Sequence, residues 1–287
     1  MPAVTVVVPT CGRPELLARC LAALEKQSLP REDYDVIVVD DSALRSGPAA
    51  ARNRGWRQAR AAIVAFTDDD TEPHPHWLAN GLKAMQGADA ASGRIVMPIP
   101  AVPTDYERDA QGLERSEFVT ANCFVRREVL ERLGGFDESF RMAWREDSDL
   151  HFRLLRAGAR IARAPHAVVV HPVRPAPWGV SLRQQRKVMF DALLFKKHRA
   201  LYRSRIRAGI RWDYYAIVVS FALALAGLTP ALLIWALLTA RFFLQRLRGA
   251  SKRPGHLLEM LLTSMFIPPL AVFWRFAGAL RYRVAFL

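Results

Sequence analysis

Three adjacent carboxylates, Asp68, Asp69 and Asp70, close a short apolar run, and Pro73 and Pro75 stop that run from continuing as a helix. Like charges this close repel one another unless a cation or a set of donors neutralises them, and a divalent metal is the natural partner. A solvated turn is the plainer reading of the same triplet, because Asp is a common turn former. Asp40 and Asp41 end a second apolar run at residues 36–39. A third group reads Trp144-Arg145-Glu146-Asp147-Ser148-Asp149. Acids suit the start of a helix, but the dipole does not account for a Trp and an Arg beside them. His171 closes a β-branched run at residues 168–170. Carboxylates can accept from a base or a ribose while a metal bridges phosphates, so the pattern points to a nucleotide crevice.

The elements that must position these groups alternate. Residues 4–8 read as a buried strand, residues 14–24 as a helix with Pro14 in its first turn, and residues 36–39 as a second strand. An Ala- and Arg-rich helix from 48 to about 60 leads to the strand that delivers the acidic triplet. Residues 92–98 read as another strand, 101–114 as a loop and 150–157 as a helix. Paired Gly134 and Gly135 mark a backbone turn. Alternation of this kind predicts an α/β fold with a mostly parallel, Rossmann-like sheet, whose carboxyl edge is where ligands bind. Neither a Gly-x-Gly-x-x-Gly nor a Gly-x-x-x-x-Gly-Lys motif occurs, so phosphate recognition would fall to a metal and Arg side chains.

At 287 residues and 51% hydrophobic, the chain is long enough for a sizeable core. Lys and Arg total 41 against 27 acids, a formal charge of +14, which suits nucleic acid, an anionic membrane or phosphorylated ligands. Cys11, Cys20 and Cys123 show no metal-ligand spacing and read as reduced thiols. The first residues do not have the pattern of a signal peptide.

Together these segments resemble the family 2 glycosyltransferases, with the A-type nucleotide-sugar fold. The resemblance rests on Val-Val-Val-Pro-Thr-x-x-Arg ending at Arg13, Val-Val-Asp-Asp-Ser ending at Ser42, and Ala-Arg-Asn-Arg-Gly from Ala51. To these are added the triplet at Asp68, Gly-Gly-Phe-Asp-Glu from Gly134, Glu146-Asp147-x-Asp149 and His171. It implies that Thr10, Asp40 and Asp41 lie against the donor's base and ribose, with Arg13, Arg52 and Asn53 nearby. It implies also that Asp68 and Asp70 hold Mg²⁺ or Mn²⁺ on the diphosphate of a nucleotide-sugar, with Asp69 sharing and His171 as a further ligand. Asp147 would be the general base of an inverting transfer and Glu146 the runner-up, with Trp144 and Arg145 on the acceptor side. Polymerising members carry Gln-x-x-Arg-Trp after the catalytic domain, whereas residues 181–188 lack that Trp. A single, non-processive transfer is implied.

Residues 183–211 hold ten Lys or Arg and one acid, Asp191. Without a nucleic-acid-binding motif this reads as a basic amphipathic helix on an anionic membrane surface, and no nucleic-acid partner is expected. Residues 214–240 are uncharged, 27 in all, and are interrupted at Gly227 to Pro230; a second uncharged run at 260–274 holds 15 residues with Pro268 and Pro269. Helices embedded in the membrane are expected, as a bent span or a re-entrant hairpin, with the number of crossings open. The expected organisation is a catalytic domain at 1–180, with a nucleotide-sugar half at about 1–100 and an acceptor half at about 101–180. A basic juxtamembrane segment at 181–212 and a membrane-embedded region at 213–287 follow. The enzyme would sit on the cytosolic face of the cytoplasmic membrane and act on a membrane lipid or lipid-linked acceptor. A sugar nucleotidyltransferase and a non-catalytic membrane adaptor are the alternatives.

Overall fold

The computed structural model describes residues 1–286. The chain forms two compact units, the first made of residues 1–98 and 112–173, the second of 99–111 and the residues from Arg174 onward.

In the first unit, β1 (Val4–Thr10) is buried at every position. Its β-branched residues suit a strand covered on both faces. Next come α1 (Pro14–Glu25), β2 (Tyr34–Asp40), α2 (Pro48–Trp56), β3 (Ile63–Phe66), the two-residue β4 (Glu72–Pro73), α3 (Trp77–Ala84) and β5 (Ala90–Val96). Helix α4 (Asp105–Gln111) groups with the second unit. The first unit resumes with β6 (Cys123–Arg126), α5 (Arg127–Leu133), α6 (Glu146–Arg156) and β7 (Ile161–Val170). The seven strands are ordered β2-β1-β3-β6-β5-β7-β4.

The sheet is mixed, which corrects the expectation of a mostly parallel one. β1 pairs in parallel with β2 and β3, and β5 with β7, but β6 is antiparallel to both β3 and β5, and β4 is antiparallel to β7. The strands β1, β2, β3, β5 and β7 therefore share one direction, with β6 inserted among them in reverse. The long connection between β5 and β6 re-enters the sheet from the carboxyl edge, so β6 needs no crossover helix. That edge carries Thr10, Asp40 and the Asp68 triplet, and His171 directly after β7. The core beneath it centres on Phe66, packed edge-on against Phe136 at 5.2 Å, with Val7, Val64, Leu150 and Leu154. Helix α2 lies close on the sheet because Gly55 faces Val7, where a Cβ would collide with the valine.

The second unit continues with α7 (Val180–Gln184), a 3₁₀ turn at Gln185–Val188, α8 (Met189–Lys197), α9 (Arg199–Leu201), and a π turn at Tyr202–Ile206. It ends with α10 (Trp212–Leu225), α11 (Thr229–Leu247) and α12 (Pro254–Tyr282). The expected single basic helix is thus a broken series of short segments. Residues 189–195 are all buried, because that stretch is apolar on nearly every side and packs as core rather than as one lipid-facing stripe. The expected loop at 101–114 contains α4 and the start of a 3₁₀ turn at Gly112–Arg115. Helix α4 is held by Asp105, which pairs with Arg246 at 2.8 Å, and by Arg108, which donates to the Arg246 carbonyl at 2.6 Å. Helix α12 runs through Pro268 and Pro269 for 29 residues, well beyond the uncharged run. By length and composition α11 and α12 are the two helices long and apolar enough to cross a membrane among the described residues.

Candidate active site

At the carboxyl edge of the sheet, Asp68, Asp70 and His171 bring one ligand atom each to within 4.8 Å of one another. β3 delivers the two carboxylates and β7 the imidazole. Thr71 donates its hydroxyl to the Asp68 carbonyl at 2.7 Å, folding the triplet into a tight turn. The His171 Nε2 lies 3.7 Å from Asp70. Asp69 lies outside this group: it is buried, accepts the Thr10 hydroxyl at 2.6 Å and lies 2.9 Å from Arg13. Arg13 also reaches to 3.7 Å from Asp70. Burial pushes the Asp69 pKa up, with Thr10 and Arg13 opposing and the neighbouring carboxylates adding. The triplet therefore divides between a metal-type cluster and a tie to β1.

Arg52 joins the two ends of the site. Its side chain is 3% exposed and bonds Asp68 at 2.7 Å and Glu146 at 3.1 Å. Burial works against ionisation of Asp68, but Arg52, His171 and Arg13 outweigh it and hold that carboxyl below the usual range. Glu146 is also buried, and loss of water pushes its pKa up to about 7, against the pull of Arg52 and with the push of Asp147. Burial raises Asp147 as well, opposed by the Ser148 amide, Arg145 and Arg52. Arg52 Nε and Glu146 Oε2 are buried without a hydrogen-bond partner among the described residues. Both acids stand in the first turn of α6. Before them Arg145 adopts a left-handed backbone, φ 75°, and lays its guanidinium over Trp144 at 4.5 Å.

Two expected donor-side residues have other attachments. Asp41 accepts Ser46 Oγ at 2.5 Å, Arg54 at 2.6 Å and the Gly47 amide at 2.8 Å. Burial disfavours its charge, but these donors outweigh that and keep its pKa low. Its carboxylate thus holds the loop from Asp41 to Gly47 rather than facing outward. Asn53 bonds the Phe136 carbonyl and amide, Glu138 and the Trp56 ring nitrogen. It anchors the turn at Gly134 and Gly135, whose φ values of 74° and 71° suit glycine. Asp40 is exposed and accepts the Ser42 amide and hydroxyl at 2.8 and 2.9 Å. Arg54 and Ser46 were not singled out from the sequence. Arg54 lies inside the quoted motif, yet spacing alone does not say which carboxylate each arginine meets.

Acids, a histidine and a buried arginine thus gather along the carboxyl edge of a mixed sheet, the edge at which open α/β sheets bind ligands. The profile described as Glycosyl transferase family group 2 matches residues 63–277, and that of Glycosyl transferase family 2 matches residues 5–44. The chain belongs to the family 2 glycosyltransferases, enzymes that transfer a sugar from a nucleotide-sugar. It is 28% identical over 225 residues to glycosyltransferase AglE of Haloferax volcanii, covering 66% of this chain and 72% of that protein. With the pre-mycofactocin glycosyltransferase of Mycobacterium tuberculosis it shares 30% over 210 residues, 60% of this chain and 43% of that one. The chain therefore spans less than half of the mycobacterial protein. The mannosyltransferase PcManGT of Pyrobaculum calidifontis, solved with GDP-Man and Mn²⁺, aligns with a TM-score of 0.56 and 21% identity, over 98% of this chain and 87% of that one. That likeness is one of fold.

Proposed function

We propose that this glycosyltransferase is metal-dependent and inverting, and moves one sugar from a nucleotide-sugar to an acceptor at a membrane. The supporting observation is the convergence of Asp68, Asp70 and His171, with Arg52 linking Asp68 to the acids of α6. Two carboxylates and an imidazole fit Mg²⁺ or Mn²⁺, which take few protein ligands and complete their shell with phosphate and water. When bound, such an ion stabilises the charge of the departing nucleoside diphosphate. The complex of the Pyrobaculum calidifontis protein with GDP-Man and Mn²⁺ supports this choice.

Thr10 and Asp40 face the base and ribose, with Asp41, Arg52 and Asn53 shaping the pocket behind them. Arg13 holds Asp69 and Asp70 and meets the diphosphate. Asp147 takes the proton of the acceptor hydroxyl as that oxygen attacks the anomeric carbon, opposite the leaving group. Such a base contributes about 10²–10⁴ in rate. Glu146, held by Arg52, is the second candidate. Trp144 and Arg145 line the acceptor side. The donor half is residues 1–100 and the acceptor half 101–180, followed by a basic segment at 181–212 and the membrane region.

The acceptor is a polyprenyl phosphate or a lipid-linked glycan, and the enzyme works on the cytosolic face of the cytoplasmic membrane. The exposed apolar helices support this. A phosphate acceptor is already ionised and does not require Asp147. The test is release of nucleoside diphosphate from a panel of nucleotide-sugars by detergent-purified protein, with and without Mn²⁺ or Mg²⁺. Asp70→Ala should lose metal-dependent turnover. With a hydroxyl acceptor, Asp147→Asn should lose turnover while still binding the donor, whereas a phosphate acceptor should leave that variant active. No binding of any nucleotide-sugar under any metal condition sinks the proposal.

A further inference from the structure

Helices α10 and α11 form an antiparallel hairpin. The Tyr214 and Phe242 rings meet at 5.3 Å and those of Phe221 and Trp235 at 5.2 Å. Its charges gather at the open end, on Arg211 and its partner Asp213 and on Arg241, Arg246 and Arg248, while residues 214–240 carry none. The closed end is apolar and uncovered: Leu225, Leu228, Leu233 and Leu237 are all exposed. Each arm offers 12 uncharged residues, 214–225 and 229–240. At 1.5 Å per residue that is about 18 Å, well short of a hydrocarbon core of about 30 Å. The hairpin can enter a bilayer but cannot cross it twice.

Helix α12 lies across the base of this hairpin. Arg246 of α11 bonds Thr263 at 2.8 Å and Ser264 at 2.9 Å; Ile217, Phe242 and Ile267 share one cluster; and the Tyr215 and Phe276 rings meet at 6.1 Å. On α12 these contacts extend from Thr263 to Phe276, about 20 Å of helix. On the hairpin they all fall within about one turn of the Tyr214–Phe242 level. Two elements that share contacts in this way cross at a steep angle rather than running side by side.

The segment at residues 179–189 accompanies α12 along its length. The Gly179 amide donates to Glu259 at 2.7 Å, Arg186 lies 5.8 Å from the Trp274 ring centre, and Gly278 lies close against the Met189 backbone. From Glu259 to Gly278 is about 28 Å. A spanning α12 would take Arg183, Arg186 and Lys187 to bilayer depth, where cations are costly. The exposed apolar residues of α12, Leu258, Leu261, Leu262, Phe266, Phe273, Phe276 and Leu280, instead share one broad helical face. A face of this kind suits a helix lying in the plane of a membrane interface.

We infer that the second unit inserts into a single leaflet of an anionic lipid bilayer: the α10–α11 hairpin dips into the hydrocarbon and returns, α12 lies along the interface, and no helix crosses. The inference rests on the membrane reading of the proposed function and adds its topology. The basic open end of the hairpin remains among the headgroups, where Lys and Arg are attracted to anionic lipid.

The test uses the full chain carrying Cys11→Ser, with a single added substitution, Leu228→Cys, Leu233→Cys, Arg248→Cys or Arg281→Cys. A membrane-impermeant maleimide is applied to spheroplasts and to inverted membrane vesicles of the expression host. Arg248→Cys and Arg281→Cys should label from the cytosolic face alone. Leu228→Cys and Leu233→Cys should label from neither face until detergent is added. Labelling of Arg281→Cys from the face opposite to Arg248→Cys, or of either hairpin variant from the outer face, overturns the inference while leaving membrane attachment intact. Recovery of the protein wholly in the soluble fraction overturns both.

Discussion

The two units use burial in opposite senses. In the first, charged groups are taken out of water and matched: Arg52, Asp69 and Glu146 are buried, each within reach of an oppositely charged partner. In the second, large apolar side chains remain exposed on the α10–α11 hairpin and α12 while most cations stay at the periphery. Burying a charge is costly unless its partner holds it, so the first unit gains electrostatic order at the sheet edge. Exposing this much apolar surface is costly in water and favourable in lipid. One chain thus carries a cluster of buried, matched charges and a surface of exposed apolar side chains.

The largest effect that would sharpen this contrast is catalytic. With a hydroxyl acceptor, Asp147→Asn should lower kcat by about 10²–10⁴-fold with donor affinity retained, read by steady-state kinetics beside isothermal titration. Full activity in that variant would break the assignment of the base. Arg52→Leu comes next, because it leaves Asp68 and Glu146 facing each other's neighbourhood without their shared cation. A loss of about 3–5 kcal/mol is expected from denaturant unfolding, as when one partner of a buried pair is removed.

Apolar truncations should separate the units directly. Phe66→Ala, in the first core, should cost about 3–5 kcal/mol. Leu233→Ala, exposed on the hairpin, should change unfolding in detergent by less than about 0.5 kcal/mol. Equal losses at the two positions would remove the distinction drawn between them.

The acids of α6 also set a pH dependence with two signs. Burial raises both Glu146 and Asp147, so the pair takes up protons more readily in the folded chain than in the unfolded one. The proposed base acts only when ionised, so kcat/KM should fall on the acid side at a pH above the ordinary carboxylate range, with an apparent pKa belonging to the pair. The stability the pair contributes runs the other way. It is complete below the ordinary carboxylate pKa and lost as pH rises through about 7, the value to which Glu146 is pushed. Glu146→Gln should flatten that fall in a pH series of thermal melts. The smallest effect is expected at the rim, where Arg57 and Glu138 lie 3.8 Å apart and half exposed. Arg57→Ala should cost no more than about 1 kcal/mol, and a larger loss would show that the rim belongs to the buried network.

Much of this was legible beforehand. Apolar runs ending in Asp40, Asp68 and His171 marked three strand ends, because a strand covered on both faces leaves a local apolar signature and its polar end leaves another. The family motifs, each short, specified the enzyme class through their order. The break at Gly227 to Pro230 was equally plain, since Gly and Pro act on the backbone where they stand.

Partnership required the folded chain. That Asp69 turns to Thr10 while Asp68 and Asp70 turn to His171, and that Arg52 rather than Arg54 bridges to Glu146, 94 residues away, depends on which strands become neighbours. The reversed β6 was hidden for the same reason, because direction in a sheet follows from where a long connection re-enters. The basic stretch shows the limit most clearly. Its composition suits a membrane surface, but residues 189–195 became core once α12 lay against them. The sequence by itself determined which groups could be charged, apolar or kinked, since those are properties of single residues and near neighbours. Only the tertiary structure decided which charges met and which apolar faces stayed open, because burial and distance belong to pairs far apart in the chain.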